Sequence, residues 1–282
     1  MDPNLVILAG GISSRMKKGG SQAEPMDPAL KRQAEEMSKS MIGVGEGGRP
    51  FLDYLLHNAR GAGYRDIVIV IGERDRSVQE YYGGSSVAFA VQKIPAGRTK
   101  PLGTADALLQ ALSVTPRWRG QQFTVCNSDN LYSPRAFRLL LECSSPGSMI
   151  DYDRAALNFE PERIGQFAVI EKDPQGYLLN IIEKPAPELI ERVRDRTGHV
   201  GVSMNIWRLP YDLILPCLEQ VPLHPIRLEK ELPVAVAMMI HEHPGSVLAI
   251  PLAEPVPDLT NQSDIPRVQE FLRKEFPESL LP

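Results

Sequence analysis

The sequence predicts an α/β fold: a Rossmann-like open sheet, mostly parallel, with helices on both faces and a small antiparallel addition. Two patterns and their order predict it. Short, nearly continuous apolar runs recur at Leu5–Ala9, Ile67–Ile71, Val87–Val91 and Phe123–Cys126, which suits strands covered on both faces. Between them, Leu52, Leu55, Leu56 and Ala59 fall at helical spacing, as do Ala105, Leu108, Leu109 and Leu112. Each set makes one apolar helix face. Strand then helix, repeated, gives parallel βαβ units. Ligands of such sheets bind at the carboxyl ends of the strands, where the strand order switches.

The remaining elements follow in chain order. Gly19–Ser38 is a long polar insert in which Ala29–Met37 can form a short helix; loops of that length are usually functional or mobile. Gly165–Ile170, the turn Asp173–Gly176 and Leu178–Ile182 read as an antiparallel pair closing one side of a pocket. Ser263 or Asp264 caps a last helix, with Pro266 in its first turn and Ile265, Val268, Phe271 and Leu272 facing inward. We expect one domain over residues 1–282: a first half of about 1–150, a second of about 151–262, and a C-terminal helix over 263–282.

Composition narrows the function classes. Of 282 residues, 43% are hydrophobic and 23% charged, with a formal net charge of −4. That is globular usage without the broad basic surface nucleic acid requires. Cys126, Cys143 and Cys217 are too far apart for a zinc site or a disulfide framework; they read as reduced thiols, Cys126 in the core. His241 and His243 alternate and are expected to face solvent. Leu5–Ala9 is too short for a signal-peptide core, and no apolar run reaches the roughly 18 residues of a membrane span. The expectation is a cytoplasmic protein with no nucleic-acid or membrane partner, of a size compatible with a homodimer.

The first strand ends in Gly10 and Gly11, followed by Ser13, Ser14, Arg15, Lys17 and Lys18. Glycines after a strand let backbone N–H groups turn to an anion, and the basic residues would neutralise a polyphosphate. Neither G-x-x-x-x-G-K-[ST] nor G-x-G-x-x-G is present, which argues against Walker-type NTPases and dinucleotide oxidoreductases. A plain strand-to-helix turn stays open on this loop alone.

Leu8–Gly11 with Ser14, Arg15 and Met16 resembles the signature loop of the sugar-phosphate nucleotidyltransferases, the nucleoside-diphosphate-sugar pyrophosphorylases. Further segments are similar to that family in its order: Lys39–Val44 with Arg49–Tyr54, Gln92, Pro101–Ala107, Asn127–Asn130, Ile182–Pro185, Met204–Ile206, and Asp258 with Thr260 and Asn261. The resemblance spans Leu5 to about Phe271. It implies an enzyme that joins a nucleoside triphosphate to a sugar-1-phosphate, gives a nucleotide sugar and pyrophosphate, and depends on Mg2+. Two features depart from the pattern. The insert between Arg15 and Lys39 is longer than usual, and the sugar-site asparagine lies in Ser203–Ile206 rather than Asn-Thr-Gly.

Carried over residue by residue, the resemblance implies these roles. Arg15 and Lys39 are catalytic, balancing charge on the phosphates. Leu8, Ala9, Gly10, Gly11, Gln92, Gly103, Thr104 and Ser128 hold the nucleotide, with Gln92 at the base. Gly165, Glu183, Lys184 and Asn205 take the sugar phosphate. Asp129 and Asp258 hold the metal, with Asn261 or Thr260 as alternatives to Asp258. Taken singly, Asp129 reads as well as a turn residue, Glu183 and Lys184 as a solvated pair, and Gln92 as an exposed strand end. Two alternatives stay open: transfer to a polyol, choline or cofactor phosphate, and a non-catalytic nucleotide-binding subunit of the same fold.

Overall fold

The computed structural model describes residues 3–11, 16, 27–278 and 280. Arg15, Ser14, Lys17, Lys18 and the start of the insert lie outside the described residues. Among the described residues ten strands form one sheet: β1 Asn4–Leu8, β2 Asp66–Gly72, β3 Ala88–Gln92, β4 Gln122–Asn127, β5 Gly147–Asp153, β6 Val169–Lys172, β7 Leu178–Ile182, β8 Gly201–Val202, β9 Ile206–Pro210 and β10 Val247–Leu252. The order is β3-β2-β1-β4-β9-β5-β8-β6-β7, with β10 also beside β5. β1 is parallel to β2 and β4 on its two sides. β2 leads outward to β3, whereas β4 starts the other half, so the strand order switches between β1 and β4.

Alternation along the strands divides the interior into two cores. Leu5 and Ile7 of β1 pack with Phe51, Leu52, Leu55, Leu56 and Ala59 of the helix Phe51–Gly61. Val6 and Leu8 point the other way, to Ala105, Leu108, Ala111 and Leu112 of the helix Thr104–Val114. Successive strand residues face opposite sides, and each helix covers one side with its apolar stripe. Leu108→Ala should destabilise the protein by about 2–5 kcal/mol, since the leucine is fully buried and its site is walled by rigid strands. Urea denaturation measures this, and a loss under about 1 kcal/mol would show the site collapsing freely.

Several expectations need correction. β3 is the sheet edge rather than a strand covered on both faces, and Val91 is 43% exposed. Strand β6 starts at Val169, not Gly165, because Pro161–Ile164 forms a helical turn and the chain turns again at Gly165. β6 and β7 pair antiparallel as expected, with a register shift between Glu171 and Lys172. The insert helix runs over Pro28–Glu36, and the side chain of Asp27 accepts from the Ala29 N–H. The last helix is Ile265–Glu275. Asp264 precedes it, yet its carboxylate serves Thr260 N–H (2.9 Å) and Asn261 N–H (2.7 Å) rather than that helix. Cys126 is core and His241 and His243 are exposed. Among the described residues no helix is long and apolar enough to cross a membrane.

A buried charge cluster ties the antiparallel addition to the sheet. Asp151 of β5 is 0% exposed and pairs with Lys172 of β6 and with His199 Nε2 at 2.9 Å. A Cβ on Gly201 would overlap Asp151 Oδ1, so glycine there lets β8 approach. The hydrogen bond that His199 donates to the Asp151 carboxylate raises the His199 pKa above its ordinary 6.5, although burial opposes the shift. A histidine with a raised folded value contributes stability that is complete below its ordinary value and lost as pH climbs through the folded one. His199→Gln should therefore flatten the stability–pH profile above pH 6.5, read from thermal melts across pH. A variant with the wild-type slope would contradict this.

Candidate active site

The carboxyl ends of β1, β3 and β4 converge on one cavity of about 490 Å³. After β1, Ala9 N–H still pairs with Val70 O (2.8 Å), and Gly10 and Gly11 then form the cavity wall. A side chain at Gly10 would press on Gln92, because its Cβ would stand 3.0 Å from Gln92 Oε1. Ser128, just past β4, donates its N–H to Leu8 O (3.2 Å) and so holds the β1 and β4 ends together.

Of the residues inferred from sequence, Leu8, Ala9, Gly10, Gly11, Lys39 and Gln92 line this cavity. Gly103, Thr104, Ser128, Asp129, Glu183 and Asn205 line it too. Three do not. Lys184 is exposed with φ +47°, a left-handed backbone that is uncommon outside glycine. Gly165 sits in the turn after Pro161–Ile164, and Asp258 lies behind the wall in a smaller cleft with Arg163 and Asp264. Arg15 is outside the described residues.

The second glycine loop is held by close contact. Gly103 has φ +103°, and a Cβ there would come 2.6 Å from Lys230 O. Ala105 N–H donates to that same carbonyl (3.0 Å), and Leu232 N–H donates to Thr104 Oγ1 (2.9 Å). Glu229–Leu232 is thereby stitched onto the loop, which brings Arg227, Glu229 and Glu231 to the cavity. Sequence reading missed all three, along with Lys100. Arg227 pairs with Glu231 at 2.7 Å. Desolvation of the Glu183 carboxyl raises its pKa, partly opposed by the charge of Arg227. Gln92 is 2% exposed, not an exposed strand end, and its Nε2 donates to Gly103 O and Asp106 Oδ2, both at 2.8 Å.

On the opposite wall, Asn205 holds φ +57°, as asparagine tolerates better than most residues. The buried Tyr132 hydroxyl steadies that turn by donating to Met204 O (2.6 Å) and to Asn205 O (3.3 Å).

The two carboxylates are neighbours despite facing different clefts. Leu259 N–H donates to Asp129 O (2.8 Å), and Asn130 bridges to Asp258. Asp129 pairs with Lys39; Asp258 pairs with Arg163 (3.0 Å) and accepts from the Thr260 hydroxyl. Burial, and then the charge of Asp129, raise the Asp258 pKa, while Arg163 opposes the rise. Mg2+ takes one or two carboxylates and fills its remaining positions with phosphate oxygens and water. Asp129 on the cavity wall, with Asp258 bridged to its neighbour Asn130 behind that wall, offers two carboxylates that fit this donor set. Among the described residues no cluster of three or more His, Cys, Asp or Glu forms an all-protein cage.

Residues 33–198 match the model of the nucleotidyl transferase family. The chain belongs to that family. Relatives of this nucleotidyl transferase include the bifunctional protein GlmU of Symbiobacterium thermophilum, 30% identical over 208 residues, covering 71% of this chain and 37% of that one. The glucose-1-phosphate adenylyltransferase of Pectobacterium carotovorum is 28% identical over 192 residues, covering 64% and 41%. The chain thus spans well under half of the length of these two relatives. Its fold is similar to that of a UDP-glucose pyrophosphorylase solved with UDP-glucose, at TM-score 0.68 and 16% identity over 98% of this chain and 100% of that one. The UDP-glucose pyrophosphorylase of Acinetobacter baumanii gives TM-score 0.67 at 18% identity over 99% and 95%.

Proposed function

We propose that this nucleotidyl transferase joins a nucleoside triphosphate and a sugar-1-phosphate into a nucleotide sugar, releasing pyrophosphate, with Mg2+ as its cofactor. One observation carries the reading. Twelve residues scattered from Leu8 to Asn205, named from sequence for this chemistry, line a single cavity at the switch between β1 and β4. The relatives whose names contain glucose-1-phosphate or UDP-glucose point to the same reaction class.

A phosphate oxygen of the acceptor attacks the α-phosphorus. A new P–O bond forms there as the bond to the β-phosphate's bridging oxygen breaks, and pyrophosphate leaves with that electron pair. Such transfers need positioning and charge balance more than covalent help. Gly10 and Gly11 let backbone N–H groups approach the phosphates, and Lys39 supplies positive charge beside Asp129. Arg15 would hold the departing phosphates. Asp129 and Asp258 would hold Mg2+, which, when bound, lowers the repulsion between donor and acceptor phosphates. Glu183 accepts from sugar hydroxyls, Asn205 both accepts and donates, and Lys184 would pair with the sugar phosphate. Free, buried Cys126 and Cys217 support a reducing, cytoplasmic setting.

Pyrophosphate release measured over a panel of triphosphates and acceptor phosphates tests the reading. We expect turnover with at least one sugar-1-phosphate. Turnover only with polyol, choline or cofactor phosphates would replace the acceptor class, and none at all would overturn the activity.

A further inference from the structure

We infer that Asp106 is a positioning residue that locks the Gln92 amide, so that Gln92 meets the nucleobase as a hydrogen-bond acceptor only. The inference rests on the reading of the cavity as a nucleotide site. Gln92 ends β3 and is almost fully buried at the cavity wall. Its Nε2 faces two oxygens at 2.8 Å, the backbone carbonyl of Gly103 and Oδ2 of Asp106. An amide nitrogen carries two N–H groups, and both are consumed. Turning the amide over would set Oε1 against a carbonyl and a carboxylate, so the orientation is imposed by chemistry. Oε1 is the remaining polar atom, and it lies against Gly10, where the cavity begins.

The lock has a consequence for selectivity. A free carboxamide reads a base edge by donating and accepting together, as glutamine does on adenine. Gln92 cannot donate. The base that meets it must bring an N–H, and a base that needs the amide's donor leaves an acceptor unsatisfied, which is costly in a buried site. Asp106 makes this possible from the first turn of the helix Thr104–Val114, where its Oδ1 also receives Gln110 Nε2 at 3.4 Å. A first-turn carboxylate also favours the helix dipole. That purely structural role would alter stability without altering preference among bases.

The test is the dissociation constant of each of the four common ribonucleoside triphosphates with Mg2+, by titration calorimetry on the full chain. Wild type is compared with Asp106→Asn, and with Asp106→Ser should the first variant not fold. Asparagine presents an oxygen or an amide to Gln92, so the amide can turn over and read other edges. We expect the ratio between the poorest and tightest triphosphate to narrow about tenfold, and a narrowing of threefold or more supports the lock. A ratio within threefold of wild type overturns it, whatever happens to melting temperature. If no triphosphate binds the wild type, the nucleotide reading itself falls and takes this inference with it.

Discussion

Asp129→Asn is expected to cut pyrophosphate release by about a hundredfold or more, the usual loss when one fixed electrostatic partner of a charged transition state is removed. The substitution keeps the side-chain shape at the end of β4 but removes half of the carboxylate pair that would hold the metal. Folding should hardly change. The Lys39–Asp129 pair is partly exposed, and such pairs are worth about 0–1 kcal/mol. Loss of the Asp129 charge also relieves Asp258, which that charge disfavours as an anion. A coupled pyrophosphate assay beside thermal melting gives both readouts. Activity within threefold of wild type would remove Asp129 from the chemistry, and a collapse of the melt would make its role structural.

Gly103→Ala is expected to cost about 3 kcal/mol, combining left-handed backbone strain with overlap against a rigid backbone carbonyl. At φ +103° an alanine is strained in any surroundings, and here its Cβ would come 2.6 Å from Lys230 O. The displaced Glu229–Leu232 segment would take with it the hydrogen bond from Leu232 N–H to Thr104 Oγ1. Gly103 O, one of the two acceptors that orient Gln92, would move as well. Triphosphate affinity should therefore fall along with stability. Urea denaturation and calorimetry measure the pair, and a variant within about 0.5 kcal/mol of wild type would show that the loop yields freely.

How much was legible in the sequence depends on how local each signal was. Leu5–Ala9, with Gly10 and Gly11 behind it, declares itself as a strand and its turn within a few residues, and its end, Leu8–Gly11, lines the cavity. The helix faces of Leu52–Ala59 and Ala105–Leu112 are likewise local, and both are buried apart from the half-buried Leu109. β3 was misjudged because an apolar run does not show whether a neighbour covers it. Arg163 and Asp264 carry no local signature: their role arises only when the chain folds back so that Arg163 spans Asp258 and Asp264. Arg227, Glu229 and Glu231 look like a solvated charge run until Gly103 admits the Lys230 backbone. Glu183 and Lys184 are adjacent in sequence, yet only Glu183 lines the cavity, and the left-handed turn at Lys184 is invisible in residue type.

The most direct test of the account is a crystal structure of this chain grown with a triphosphate and Mg2+. The account predicts phosphates against the Gly10–Gly11 backbone and Lys39, with the ion between Asp129 and Asp258. A triphosphate bound elsewhere, with that cavity holding only solvent, would contradict it.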